Sequence, residues 1–257
     1  MKVLFMGRKQ VAADTLKTIA AMPNVEIVGV LTDSHLENSP TAEFARAEGL
    51  EVLDFDDALR RMKNGEMDFD FGVSVLYWRR LKEEFLTIPR LGVINFHPAP
   101  LPEYKGVAGY NLAILEGRTR WAVSAHYVDE KIDSGAIIEV LDFAIDPDSM
   151  LCTTLEKKSM QALRDLIDKT LHRVFASNAL LESFPNVGGR YVSRNEMEEM
   201  KKIMPGDDVE RKVRAFWFPP YEGAYVEMDG KRFTLVSHDV LKSLSPSGTT
   251  SLFSSEA

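Results

Sequence analysis

The chain has 257 residues, 45% of them hydrophobic and 27% charged, with a formal net charge of −8. That balance suits one sizeable globular core with a small appendage and excludes a disordered or fibrous chain. The acidic surplus works against a grip on nucleic-acid backbones, no apolar run approaches the roughly 18 residues needed to span a bilayer, and the single Cys152 permits neither an internal disulfide nor a cysteine-based metal cluster. Arg8, Lys9 and Gln10 interrupt the first apolar run too early for a secretory segment, so a cytoplasmic chain is expected.

Short apolar runs alternate with amphipathic stretches through about residue 100, the pattern of a parallel sheet covered by helices. Residues 2–6 read as a first buried strand, Gly7 as its turn, and 12–21 as a helix with Ala12, Leu16, Ile19 and Ala20 at helical spacing. A strand over 25–31, helices over 42–47 and 57–62 around a short strand at 51–53, and strands over 71–76 and 91–96 follow. Beyond a Pro-rich turn, a helix over 107–116 ends at Gly117, a common C-terminal stop. Two β runs, 122–128 and 136–143, precede a long helix over 154–181 that closes the main unit.

The predicted fold is thus α/β, a Rossmann-like domain over residues 1–185 with a mostly parallel sheet, and a small C-terminal region over 186–257. In the latter, 196–202 and 209–216 read as short helices. Residues 224–228 and 233–236 read as a hairpin whose Asp229-Gly230 turn favours type I′ geometry, and Ser-rich 244–257 reads as a loose tail.

The stretch Val93-Ile94-Asn95-Phe96-His97-Pro98-Ala99-Pro100-Leu101 stands out, because ligands commonly bind beyond the carboxyl ends of parallel strands. Asn95 and His97 are two apart, so a pleated strand points both to one side while Phe96 faces the other. Pro98, Pro100 and Pro102 fix φ and remove donors, which stiffens the loop that follows. A second polar group is the acidic turn within His126-Tyr127-Val128-Asp129-Glu130-Lys131-Ile132-Asp133-Ser134-Gly135, set between two β runs.

Taken together, Asn95-Phe96-His97-Pro98, the loop Leu101-Pro102-Glu103-Tyr104-Lys105-Gly106, and Val128 through Ile138 resemble the signature of folate-dependent formyltransferases, with Phe5-Met6-Gly7 as a further match. The resemblance covers roughly residues 1–180. It implies formyl transfer from N10-formyltetrahydrofolate, no metal, and a catalytic trio on Asn95, His97 and Asp133. A neutral imidazole at His97 would take the proton of an attacking amine, and Asn95 would donate to the developing oxyanion. Asp133 would either orient His97 and stabilise its imidazolium or order a proton-carrying water. The same resemblance implies that Tyr77, Trp78, Asp129 and Glu130 line the folate slot. Arg8, Lys105 and Gly106 are candidates for the acceptor side.

The C-terminal run from Val213 to Glu227, including Phe216-Trp217-Phe218-Pro219-Pro220-Tyr221, is similar to the end of sugar N-formyltransferases. This implies a nucleotide-linked amino-deoxy sugar as acceptor, GDP- or dTDP-linked, of the kind destined for O-antigen and other surface polysaccharide. Those aromatics suit either a small core under the hairpin or a homodimer interface. tRNA-specific relatives carry a larger C-terminal barrel and a basic surface, and the remainder of this acidic chain is shorter. Two other readings stay open, a methionyl-tRNA or other folate-dependent formyltransferase and a non-catalytic sugar-nucleotide or folate binding module. A dinucleotide oxidoreductase is disfavoured, since Gly7-Arg8-Lys9-Gln10-Val11-Ala12 lacks the G-x-G-x-x-G turn.

Overall fold

A computed structural model describes residues 1–36 and 38–243; the predicted tail over 244–257 lies outside the described residues. The first apolar run forms β1 (Lys2–Gly7), and α1 (Lys9–Ala20) returns along the sheet, seated by Val11, Ala12, Leu16 and Ile19. Next come β2 (Glu26–Leu31), α2 (Pro40–Ala47), β3 (Val52–Leu53), α3 (Phe55–Lys63), β4 (Phe71–Val75), α4 (Glu83–Thr87) and β5 (Val93–His97). Local chemistry sets several starts: the Ser39 hydroxyl accepts from the Ala42 amide with Pro40 in the first turn of α2, and the Asp54 carboxylate accepts from the Asp56 amide at α3.

Beyond the Pro-rich loop lie β6 (Tyr104–Gly106), α5 (Gly109–Leu115), β7 (Arg120–Tyr127), β8 (Ile137–Ala144) and the long α6 (Cys152–Ser177). Then follow β9 (Arg190–Val192), α7 (Arg194–Met200), α8 (Val209–Phe216), the hairpin β10 (Tyr225–Met228) and β11 (Lys231–Thr234), and α9 (His238–Ser243). Asp229 and Gly230 both take positive φ, 50° and 71°, as a type I′ turn requires.

Seven strands form one sheet in the order β3-β2-β1-β4-β5-β7-β8, parallel from β3 to β5 and antiparallel thereafter. This is the mostly parallel α/β architecture that the alternating pattern predicts. Side chains alternate along β1: Val3 and Phe5 pack under α1 and α6, while Leu4 and Met6 meet Phe55, Met62 and Phe85 from α3 and α4. A third cluster, around Trp121, Leu112, Val213 and Phe216, joins α5 and α8 beside the end of the sheet.

Three departures from the predicted elements have local causes. The helix after the Pro-rich loop starts at Gly109 because residues 104–106 pair in parallel with β9. The long helix stops at Ser177 because Asn178 turns left-handed at φ 49°. α4, not anticipated, is five residues held by the buried Phe85.

α8 docks through cations as well as apolar groups. Arg214 is buried, donating from Nη1 to the Pro147 carbonyl at 2.6 Å and from Nε to Glu210 at 2.7 Å, and the Lys212 ammonium donates to the Lys202 carbonyl and to Asp207, each at 2.6 Å. Of the C-terminal aromatics, Phe216 is 2% exposed and Tyr221 70% exposed. Phe216→Ala should therefore open a cavity between α5 and α8 and cost about 3–5 kcal/mol of stability, read from the midpoint of urea denaturation.

Candidate active site

β5 lies between β4 and β7, and its register aligns three polar residues across the sheet: Ser74 on β4, Asn95 on β5 and His126 on β7. The Ser74 hydroxyl donates to Asn95 Oδ1 at 2.8 Å, and Asn95 Nδ2 meets His126 Nε2 at 3.0 Å. His126 Nδ1 lies 2.7 Å from the Tyr127 carbonyl. A carbonyl only accepts, so Nδ1 carries the proton and Nε2 offers its lone pair to the Asn95 amide. Burial agrees with this neutral form, pushing the His126 pKa down from 6.5 to about 4 against the opposing pull of the Asp133 carboxylate. Asn95 is thereby held with its carbonyl toward Ser74, and its second amide proton has no protein partner among the described residues.

His97, the last residue of β5, is tethered on the other side. Its Nε2 donates to the Tyr104 carbonyl at 2.9 Å, which leaves Nδ1 as the basic atom of the neutral ring. Asp133 Oδ2 stands 3.5 Å from that Nδ1, and Asp133 Oδ1 stands 3.7 Å from His126 Nε2. The Gly106 amide donates to Asp133 Oδ2 at 2.9 Å. The loop between His97 and Tyr104 is clamped by Ser124, the residue opposite His97 on β7: its hydroxyl donates to the Ala99 carbonyl at 2.8 Å and accepts from the Leu101 amide at 2.9 Å. Proline stiffness and a buried hydroxyl together keep the imidazole in place.

A cleft opens over this group beyond the ends of β4 and β5, lined by Ser74, Tyr77, Trp78, Asn95, His126, Asp129 and Asp133 among others. Asp133 in its wall and Leu76 next to the lining Tyr77 are left-handed at non-glycine residues, with φ of 52° and 54°. Of the residues predicted from sequence, Asp133 stands 3.5 Å from His97 and 3.7 Å from His126, the ring that Asn95 meets, and Asn95, Asp133, Tyr77, Trp78 and Asp129 line the cleft. Neither His97 nor Glu130 is among the lining residues. Arg8 sits beside the same wall, its Nε donating to the Leu76 carbonyl at 2.9 Å and its guanidinium 5.6 Å from the Trp78 ring centre. The Lys105 ammonium donates to the Gly188 carbonyl at 2.9 Å, and Gly106 contributes its backbone amide to Asp133.

Ser74 and His126 were not singled out from sequence, although His126 lies inside the motif. Period-two alternation along β7 was a usable signal, since it puts Ser124 and His126 on one face, but their partners depend on which strand lies alongside. His126 also carries a stability consequence. The unfolded chain binds a proton on this ring below about 6.5 and the folded chain only near 4, so its contribution is present above 6.5 and is lost as pH falls through that window. Denaturation at about pH 7 and about pH 4.5 should show a larger acid loss in the parent than in His126→Gln.

The family model described as formyl transferase matches residues 3–171. The chain belongs to the formyl transferase family. It is 33% identical over 186 residues to the methionyl-tRNA formyltransferase of Fusobacterium nucleatum, an alignment spanning 68% of this chain and 59% of that protein. Identity to the methionyl-tRNA formyltransferase of Caldanaerobacter subterraneus is 25%, over 94% of this chain and 82% of the relative. Among solved structures, a 4-N formyltransferase from Francisella tularensis superposes with a TM-score of 0.77 at 17% identity, covering 92% of this chain and 96% of its own. An N-formyltransferase from Helicobacter canadensis, in complex with folinic acid and dTDP-3-aminofucose, gives 0.72 at 21% identity over 90% and 86%. At such identities these structures share the fold.

Proposed function

We propose that this chain transfers a formyl group from N10-formyltetrahydrofolate to the amino group of a nucleotide-linked amino-deoxy sugar. The observation that carries the chemistry is the placement of the His97 Nδ1 lone pair, the Asp133 carboxylate and the unpaired Asn95 amide proton at the end of β5. In this reading the acceptor's neutral amine attacks the formyl carbon, and the carbonyl oxygen becomes an anion that accepts from Asn95 Nδ2. His97 Nδ1 takes the proton lost by the amine, a form of help typically worth about 10² to 10⁴ in rate. The new N–H then faces Asp133 Oδ2, so the carboxylate stabilises the imidazolium instead of the resting ring. Collapse of the intermediate breaks the bond to the folate N10, and the proton held on His97 passes to that nitrogen as it leaves, returning the imidazole to its neutral form.

The donor suits the cleft. Tyr77 and Trp78 offer flat faces to a pterin, and backbone and carboxylate groups from 128–133 supply polar edges. The fold match extends to proteins whose structures hold folinic acid or formyl-tetrahydrofolate beside thymidine nucleotides. Support for a sugar nucleotide comes from the net charge of −8, from the similarity of residues 213–227 to the sugar enzymes, and from near-complete fold coverage of a 4-N formyltransferase. Methionyl-tRNA is the second reading, favoured by the sequence similarity to methionyl-tRNA formyltransferases of Fusobacterium nucleatum and Caldanaerobacter subterraneus.

Incubation with formyl-tetrahydrofolate and a panel of dTDP- and GDP-linked amino sugars, with methionyl-tRNA alongside, tests both. Mass spectrometry should find one formyl addition on an amino sugar nucleotide; formylation of the tRNA alone would reverse the assignment. His97→Ala, Asn95→Ala and Asp133→Asn should fold and yet lose turnover, the Asn95 variant by about 10² to 10³ in kcat if its amide serves the oxyanion. Near-normal steady-state rates in the His97 variant would refute the proposed base.

A further inference from the structure

Past α6 the chain runs back over both catalytic loops. Phe184 exchanges two backbone hydrogen bonds with Ile137, at 2.8 and 2.9 Å, at the start of β8. Two residues on, Asn186 Nδ2 donates to the carbonyls of Asp133, at 3.0 Å, and Gly135, at 2.9 Å. The Arg190 amide then donates to the Glu103 carbonyl at 2.9 Å, and β9 runs parallel to β6, whose Gly106 amide holds the Asp133 carboxylate. One segment therefore touches the backbone on both sides of the His97 and Asp133 pair.

Asp133 needs such a hold. Its φ of 52° is unfavourable for a side-chain-bearing residue, and two residues later Gly135 is packed so closely that a Cβ would fall 1.9 Å from the Tyr127 carbonyl oxygen. The Asp133 and Gly135 carbonyls have no other protein donor among the described residues, so the two protons of one amide nitrogen satisfy both. Asn is suited to this because its NH₂ forks to two acceptors, whereas a carboxylate of the same shape would meet both carbonyl oxygens with repulsion.

We infer that Asn186 is a positioning residue for Asp133, holding the carboxylate in register with His97 Nδ1; this rests on the proposed formyl transfer. The proposal concerns geometry transmitted through the 133–135 backbone, with Asn186 touching neither substrate. Displacing a reacting partner by about 1 Å is enough to cost up to a hundredfold in rate, so a tenfold effect is well within reach.

The test compares the parent, Asn186→Asp, Asn186→Ala and, as a control at an exposed neighbour, Val187→Ala. With the acceptor identified by the panel, both Asn186 variants should lose about tenfold or more in kcat, with the Michaelis constants of donor and acceptor within about twofold. Hydrogen exchange at the Gly106 amide, measured by NMR without substrates, should quicken about tenfold, because its acceptor has moved. Val187→Ala should match the parent in every readout. Should Asn186→Asp fail to fold, Asn186→Ala carries the same expectation without the added charge. A lower melting temperature with parental kcat overturns the proposal, as does unchanged Gly106 exchange in either folded variant. If the parent formylates nothing on the panel, the exchange measurement still decides the positioning of Asp133, and only the functional assignment falls.

Discussion

The pairing of Asn95 with Ser74 on one side and His126 on the other is the constraint on which the site depends. Successive residues of a strand face opposite sides, so a slip of one residue in either ladder would replace this polar row with Phe96 and its apolar neighbours. The reversal of direction between β5 and β7 matters equally. It ends β7 beside Ile94, near the start of β5, and the loop that follows turns back to set Asp133 3.5 Å from His97.

Two imidazoles stand within 4 Å of one carboxylate, and the fold assigns them different work. His126 has its Nδ1 proton committed to a carbonyl and its Nε2 lone pair committed to Asn95; adding a proton there would set two donors against each other in a buried place. His97 has only its Nε2 committed, to Tyr104, and keeps Nδ1 toward the carboxylate. In the proposed mechanism proton acceptance falls to His97, whose Nδ1 is uncommitted, while His126 holds the Asn95 amide. Environment, not residue type, separates the two roles.

Much of this was legible in the chain itself. The apolar periods placed the strands of the parallel half within a residue or two, because those strands are buried on both faces and read as continuous runs. Asn95, His97 and Asp133 stand out as candidates because motif and chemistry coincide at each, and the fold sets His97 and Asp133 3.5 Å apart. Ser74 and Asn186 do not, because a serine in an apolar strand and an asparagine after a helix acquire meaning only through residues distant in sequence. Lys105, a candidate for the acceptor side, donates one of its three ammonium protons to the Gly188 carbonyl. β6 and β9, three residues each, were invisible because neither has any periodicity alone.

The β6–β9 ladder also bears on how the molecule is made. In chain order β6 falls between β5 and β7 whereas β9 follows β8, so every strand of the central sheet leaves the ribosome before β9 does. A nascent chain can thus bury its main core, the part that resists aggregation, while the loops bearing His97 and Asp133 are still unstitched. The polypeptide becomes a stable object first and a finished site only when residues up to Val192 have emerged. Non-local closure of this kind is slow relative to helix and local strand formation, which separates folding of the scaffold from completion of the chemistry in time as well as in space.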